Sequence, residues 1–243
     1  MADLNERRAW IDTLERAAAR AWPPHEDAPL SGWRLRCGGA RSRRLNSVRT
    51  ARFEGSEVRP AIEQASAWYR ERGLPPCFQL AEGAEPAGLD GRLAARGFAI
   101  VTPTTVMQAP AEAFIGESGD GAAVELLAEP TQEIVAALCD PSWPADVKAE
   151  RAALFARIPA PRRFALLRAD GQPAAAGNCV AVGELAGIYS MRTARAFRRR
   201  GLGAQLLRAS QLYLQVEDDS PALPLYQRLG FEAAYAYHYR ELA

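Results

Sequence analysis

The chain has 243 residues, 48% of them hydrophobic, which is enough to bury a proper core in one large domain or two small ones. Thirty basic residues against 29 acidic ones leave a formal charge of +1, so no global case exists for a nucleic-acid or membrane-surface protein. The four cysteines, Cys37, Cys77, Cys139 and Cys179, lack CxxC or Cys/His spacing, which argues against a zinc site or a disulfide framework and predicts reduced, mostly buried thiols.

The N-terminal stretch is charged and amphipathic, unlike a secretory signal, and the spacing of Trp10, Ile11, Leu14 and Ala18 predicts a helix over 4–21 that Pro23 and Pro24 stop. No apolar run approaches membrane-spanning length, and the expected address is the cytoplasm. "GWRLRC" alternates Trp33, Leu35 and Cys37 against Arg34 and Arg36, as a half-buried strand does, and "LNSVRTARF" is its expected partner. A helix over about 59–72 closes at Gly73, and Pro75 and Pro76 lead into the strand "CFQL". A helix around "LDGRLAARG" and an extended "FAIVTPTTVMQA" follow.

Residues 110–123 are small and polar and read as a linker, after which the order of elements restarts. "AVELLAE" predicts a strand, "TQEIVAALCD" a helix capped by Thr131, and "PADVKAERAALFARI" another helix. Three strands then span 162–193, separated by turns at Asp170-Gly171 and Gly183-Glu184. "LAARGF" at 93–98 can be laid on "YQRLGF" at 226–231, each after a short strand and a helix, so a duplicated domain is expected. The fold class is α/β (α+β): a mixed central sheet flanked by helices, in two similar domains, 1–112 and 123–243, joined by a linker at 113–122.

"RRRGLGAQLL", 198–207, is the stretch with the clearest chemistry. Glycines let successive N–H groups point one way, a helix N-terminus adds partial positive charge, and arginines donate to phosphate oxygens; together they form an anion cradle. It is neither a Walker loop nor a dinucleotide fingerprint. Followed by "LYLQVEDDSPALPLYQRLGF", 212–231, it resembles the GCN5-related N-acetyltransferase (GNAT) superfamily, whose acetyl-CoA loop reads Gln/Arg-x-x-Gly-x-Gly/Ala and whose next helix commonly ends Leu-Tyr-x-x-Leu-Gly-Phe. The resemblance covers about 123–243.

The resemblance implies an acetyl-CoA-dependent N-acetyltransferase. Arg198 matches the leading Gln/Arg of the loop. The amides of Arg199, Arg200, Gly201, Leu202, Gly203 and Ala204 would cradle the coenzyme's pyrophosphate. Met191, Arg192 and Thr193 match the strand that pairs with the pantetheine arm, and Tyr226 matches the tyrosine that protonates the departing thiolate. The implied partners are acetyl-CoA and an amine-bearing small molecule or protein; no metal, nucleic acid or membrane is expected, and a homodimer is left open. The alternative is a non-catalytic acyl-CoA sensor.

Three departures accompany the match. Gln215 stands where many relatives have a glutamate base, leaving Glu217, Asp218 or Glu184 to act through water. The family's asparagine falls on Asp219 or Ser220. The crossover from Ala204 to "QLYLQV" is short for a β-α-β return, which predicts that about eight to twelve residues between Leu206 and Leu212 are absent. In the first half Leu93 takes the place of Tyr226 and no anion loop precedes 61–73, so that half is expected to be catalytically silent. His25, His238 and the stripe Tyr235, Tyr237 and Tyr239 read as structural or exposed, although the family places the terminal strand beside the acceptor. Trp143 reads as a loop anchor or an acceptor wall, and Arg41, Arg43, Arg44, Arg49 and Arg52 spread over both faces of a strand instead of forming a nucleic-acid patch.

Overall fold

An alanine-, leucine- and arginine-rich opening with no internal proline makes α1, Ala2–Ala21, whose last turn closes with Trp22 N donating to Ala18 O at 3.1 Å. Ile11, Leu14, Ala17 and Ala18 are buried as their spacing predicts, whereas Trp10 is 41% exposed. Periodicity names the apolar face of a helix but not how much of its length is covered, and residues 4–10 are all exposed. The computed structural model describes residues 2–39, 42–50, 52–110, 124–194 and 213–243. They divide into two compact units: Met1–Arg16, Pro23–Thr105 and Ala234–Ala243 form the first, and Ala17–Trp22 with Val106–Ala233 form the second.

In the first unit, β1 (Glu26–Leu30) and β2 (Trp33–Cys37) form an antiparallel hairpin through Ser31 and Gly32, with φ of +49° and +85°. The sequence pattern predicts no strand between the first helix and Trp33; Pro29 is tolerated in β1 because β1 lies at the sheet edge, where a missing donor costs no ladder bond. β3 is only Val48–Arg49, antiparallel to β2 and parallel to β4 (Cys77–Ala81), with α2 (Val58–Arg70) as the crossover. The longer strand expected over "LNSVRTARF" stops there because Thr50 Oγ1 donates to Gln79 O at 2.7 Å, with no further ladder pair beyond Arg49 and Gln79.

α2 turns Ala61, Ile62, Ala65 and Tyr69 into a core with Trp33, Val48, Phe78, Leu93 and Phe98. The buried Tyr69 hydroxyl accepts from Arg36 N at 3.1 Å and donates to Arg36 O at 3.0 Å, tying helix to strand through both of its capacities. α3 (Leu89–Ala94) and β5 (Ala99–Gln108) follow.

The second unit contains β6 (Val124–Leu127), α4 (Gln132–Leu138), α5 (Ala145–Arg157), β7 (Arg162–Ala169), β8 (Gln172–Val182), β9 (Leu185–Thr193), β10 (Tyr213–Glu217) and α6 (Leu223–Arg228). Its strands run in the order β10-β9-β8-β7-β6, antiparallel except for β9 and β10. Thr131 caps α4 as predicted, its side chain accepting from Ile134 N at 3.3 Å. The turn Asp170-Gly171, with φ of +53° and +72°, closes the β7–β8 hairpin.

The final strand, β11 (Glu232–Glu241), pairs antiparallel with β4 from Tyr237↔Ala81 to Glu241↔Cys77. Ala234–Ala243 therefore belong to the first unit, and Ala17–Trp22 to the second, a correction to the contiguous ranges 1–112 and 123–243. Strand pairing is a long-range choice that the local pattern of "YAYHYREL" does not encode. The expected linker, 113–122, lies outside the described residues.

Candidate active site

Among the described residues β9 and β10 pair in parallel at Tyr213↔Gly187 and Leu214↔Ile188. Beyond Ile188 the ladder to β10 ends, while on its other side β9 stays bonded to β8 through Ala176↔Arg192 and Ala175↔Thr193. Ser190 takes φ of +53° where the β8–β9 register slips between Ala176 and Asn178, a bulge that re-aims the strand. A Cβ on Gly177 would meet Met191 Sδ at 2.5 Å, so the missing side chain there makes room for Met191. The residues Met191, Arg192 and Thr193 thus lie on the stretch of β9 past its ladder with β10.

Arg192 Nη1 donates to Ala137 O at 3.1 Å, and its Nη2 lies 3.6 Å from Asp140, which binds this segment to the end of α4. Arg192 thus ties β9 to α4 through its side chain.

Tyr226 sits on α6 and is 8% exposed, in an apolar cluster with Met107, Ile188, Leu214, Val216 and Phe231 against which Met191 packs. Burial pushes its phenol above the usual range, keeping it protonated at neutral pH. Its ring meets Phe231 edge-on at 6.1 Å. Tyr226 and Met191 therefore belong to or border the same apolar cluster. Arg198, Arg199, Arg200, Gly201, Leu202, Gly203 and Ala204, and the crossover between Leu206 and Leu212, lie outside the described residues.

The turn after α6 repeats the turn after α3. Phe231 N donates to Tyr226 O at 3.0 Å and Phe98 N to Leu93 O at 3.2 Å; Gly230 and Gly97 have φ of +86° and +85°. Leu93 is fully buried where Tyr226 stands in the other turn.

Sequence reasoning missed a buried aromatic group in the second unit. Trp22 stacks on Tyr189 at 5.3 Å, and the Tyr189 and Tyr213 hydroxyls are 2.6 Å apart. A Cβ on Gly187 would come within 2.6 Å of atoms of both phenol rings, so only glycine fits beside this pair. The pairing of Gly187 with Tyr213 is decided by sheet register, and no local pattern announces it. Asn178, opposite Tyr189 on β8 and 3% exposed, was also missed; among the described residues its amide nitrogen and oxygen have no hydrogen-bond partner.

The other sequence candidates are structural or exposed. Glu184, Glu217, Asp218 and Asp219 are exposed, and Ser220 Oγ accepts from Ala222 N at 3.3 Å ahead of α6. Tyr235, Tyr237 and Tyr239 are each 3% exposed within the first unit, so the stripe packs there. His238 contacts Asp90 at 2.8 Å, His25 is exposed, and Trp143 is half-buried under the Arg151 guanidinium at 5.4 Å. All four cysteines are free, Cys77 and Cys139 buried and the other two half-buried. Among the described residues no helix is long and apolar enough to cross a membrane, and no group of three or more His, Cys, Asp or Glu could hold a metal.

The family pattern described as "Probable histone acetyltransferase Rv0428c C-terminal" matches residues 8–240. The chain belongs to this family. It is an acetyltransferase of the GNAT superfamily. The uncharacterized N-acetyltransferase YobR of Bacillus subtilis is 27% identical over 246 aligned residues, which cover 95% of this chain and 98% of that protein. The probable histone acetyltransferase Rv0428c of Mycobacterium tuberculosis is 36% identical over 90 residues, 37% of this chain and 29% of its own.

Among solved structures, a GCN5-related N-acetyltransferase from Kribbella flavida superposes with a TM-score of 0.73 at 21% identity, covering 95% of both chains. A tandem GNAT protein from the clavulanic acid biosynthesis pathway gives a TM-score of 0.62 at 15% identity, over 94% of this chain and 87% of that one. These likenesses carry the mixed α/β fold of the Rv0428c C-terminal family over nearly the whole chain.

Proposed function

We propose that this chain transfers the acetyl group of acetyl-CoA to a primary amine by direct attack, and that the second unit does the chemistry. One observation carries the reading: Tyr226, a buried and protonated phenol, shares an apolar cluster with Met191 at the point where β9 leaves its ladder with β10. The stretch of β9 past its ladder with β10 suits a pantetheine arm, which carries amide groups and adds to a strand edge much as a peptide does. Arg198 to Ala204 would hold the pyrophosphate through backbone amides and guanidinium groups.

In that arrangement the chain's residues have separate tasks. The β9 backbone orients the thioester and offers N–H donors to the oxyanion that forms as the neutral amine attacks. As the carbon–sulfur bond breaks, Tyr226 gives its hydroxyl proton to the thiolate. The amine's proton leaves through water, because Gln215 is not a base at neutral pH.

The test begins with a calorimetric titration of acetyl-CoA into the full chain, followed by thiol release with a panel of amines. Saturable binding near one site per chain, with turnover on at least one amine, is the expected result. Binding without turnover on any acceptor points to the sensor instead, and absence of binding removes the reading altogether.

A further inference from the structure

The first unit holds a cavity of about 540 Å³ where β3 and β4 part. One wall is α1, with Arg8, Asp12 and Glu15; the floor is Arg49, Thr50 and Gln79. Most of the floor is already satisfied. Gln79 Nε2 and the Tyr235 hydroxyl donate to the two oxygens of Glu15 at 2.9 and 2.6 Å, and Arg36 Nη2 donates to Gln79 Oε1 at 2.6 Å. These bonds occupy the buried carboxylate.

Arg49 is the exception. Its side chain is 17% exposed, and its buried Nη1 has no hydrogen-bond partner among the described residues. The nearest acid is Asp12, at 4.0 Å, whose other carboxylate oxygen is held by Arg16 at 3.0 Å. Four arginines, Arg8, Arg16, Arg49 and Arg52, and four acids, Asp12, Glu15, Glu82 and Glu85, line the cleft, but each acid is engaged elsewhere: Asp12 by Arg16, Glu15 by Gln79 and Tyr235, Glu82 by Arg7 and Glu85 by Phe53 N. Burial, followed by the repulsion of Arg36, makes the Arg49 guanidinium easier to deprotonate than usual. A buried N–H without an acceptor costs free energy that an anion recovers.

We propose that this cleft is a ligand site separate from the acetyl-transfer site, taking a metabolite-sized anion whose phosphate or carboxylate oxygen accepts from Arg49 Nη1. The volume lies within the range of small-molecule pockets. Arg8, which is exposed, also lines it, while Arg52 faces Glu54 at 3.6 Å. None of this depends on whether the second unit transfers acetyl groups.

The test uses the full chain in a buffer free of phosphate and carboxylate, and measures melting temperature and calorimetric binding with inorganic phosphate and, separately, with succinate. Chloride at matched ionic strength is the control. One or both anions are expected to bind saturably and raise the melting temperature where chloride does not; the better of the two identifies the oxyanion. In Arg49→Gln the affinity falls by about tenfold or more, while the melting temperature without ligand stays level or rises. Arg8→Glu, an exposed change with no packing cost, weakens binding in the same direction. The proposal is overturned if neither anion binds, if chloride reproduces the shift, or if both variants bind like the parent. It is equally overturned if Arg49→Gln abolishes acetyl-CoA binding, since the anion would then be the coenzyme's own phosphate. Unchanged acetyl-CoA binding in that variant keeps the two sites apart, and failure of acetyl-CoA to bind the parent chain leaves the anion result standing.

Discussion

Among the described residues each unit contains a pair of parallel strands joined by two residue pairs, Val48↔Phe78 and Arg49↔Gln79 in the first, Gly187↔Tyr213 and Ile188↔Leu214 in the second. Each also has a short helix ending in the same glycine turn, with Leu93 in one and Tyr226 in the other. The scaffolds agree and the residues placed on them do not. In the second unit the parted strand packs Met191 against the apolar cluster that holds Tyr226; in the first it faces the buried network of Arg36, Gln79 and Glu15. A parted parallel pair supplies a cleft, and its chemistry comes from what lines it.

The contrast is broken most sharply at Tyr226. Tyr226→Phe should lower kcat by about 10²- to 10⁴-fold with little change in acetyl-CoA affinity, measured by thiol release and calorimetry. Equal losses of kcat and binding would make Tyr226 a packing residue like its counterpart. Leu93→Ala, at the matching position, should instead cost about 2–5 kcal/mol in denaturant unfolding, because it empties a fully buried site.

Gly97→Ala and Gly230→Ala sharpen the likeness of the two turns: each forces a side chain into the left-handed region, and each should cost about 1–2 kcal/mol. Very different costs would argue against equivalent turns. Helix capping separates the units again. Thr131→Ala should cost about 1 kcal/mol, and Glu57→Ala, ahead of α2 where no side-chain cap bond exists, close to nothing.

The smallest effect concerns pH. Arg240, and then His238, hold the Asp90 carboxyl down to about 2 from its ordinary 3.8. Because the folded value is the lower, the contribution is present in full above about pH 4 and disappears as pH falls through about 2. Asp90 is 47% exposed, so water screens the contribution to below about 1 kcal/mol. Asp90→Asn should flatten the acid limb of the stability curve by that amount, in chemical unfolding followed between those pH values.

Much of this was legible in the sequence because it is local. The Thr131 cap, the Asp170-Gly171 turn and the glycine endings of α3 and α6 each depend on residues within about one helical turn. Tyr226 was singled out by the family resemblance that "LYQRLGF" carries, and the structure sets its ring against Phe231. The edge strand β1 was not legible, because Pro29 reads as a breaker unless the strand is known to lie at an edge. Asn178, the Tyr189–Tyr213 pair and Arg49 were passed over for a related reason: they are ordinary residues until register and burial give them neighbours.

By itself, then, the sequence determined the order of helices and strands other than β1 and the repeat of "LAARGF" and "YQRLGF", which follow from periodicity and turn preferences acting over a few residues, while the chemistry expected at Arg198 and Tyr226 came with the family resemblance. Only the tertiary structure decided that β11 completes the first unit beside β4, that two residue pairs join each parallel ladder among the described residues, and that Arg49 is half-buried with a donor to spare. Those outcomes depend on which distant segments exclude water from one another, a competition settled by the packing of the whole chain.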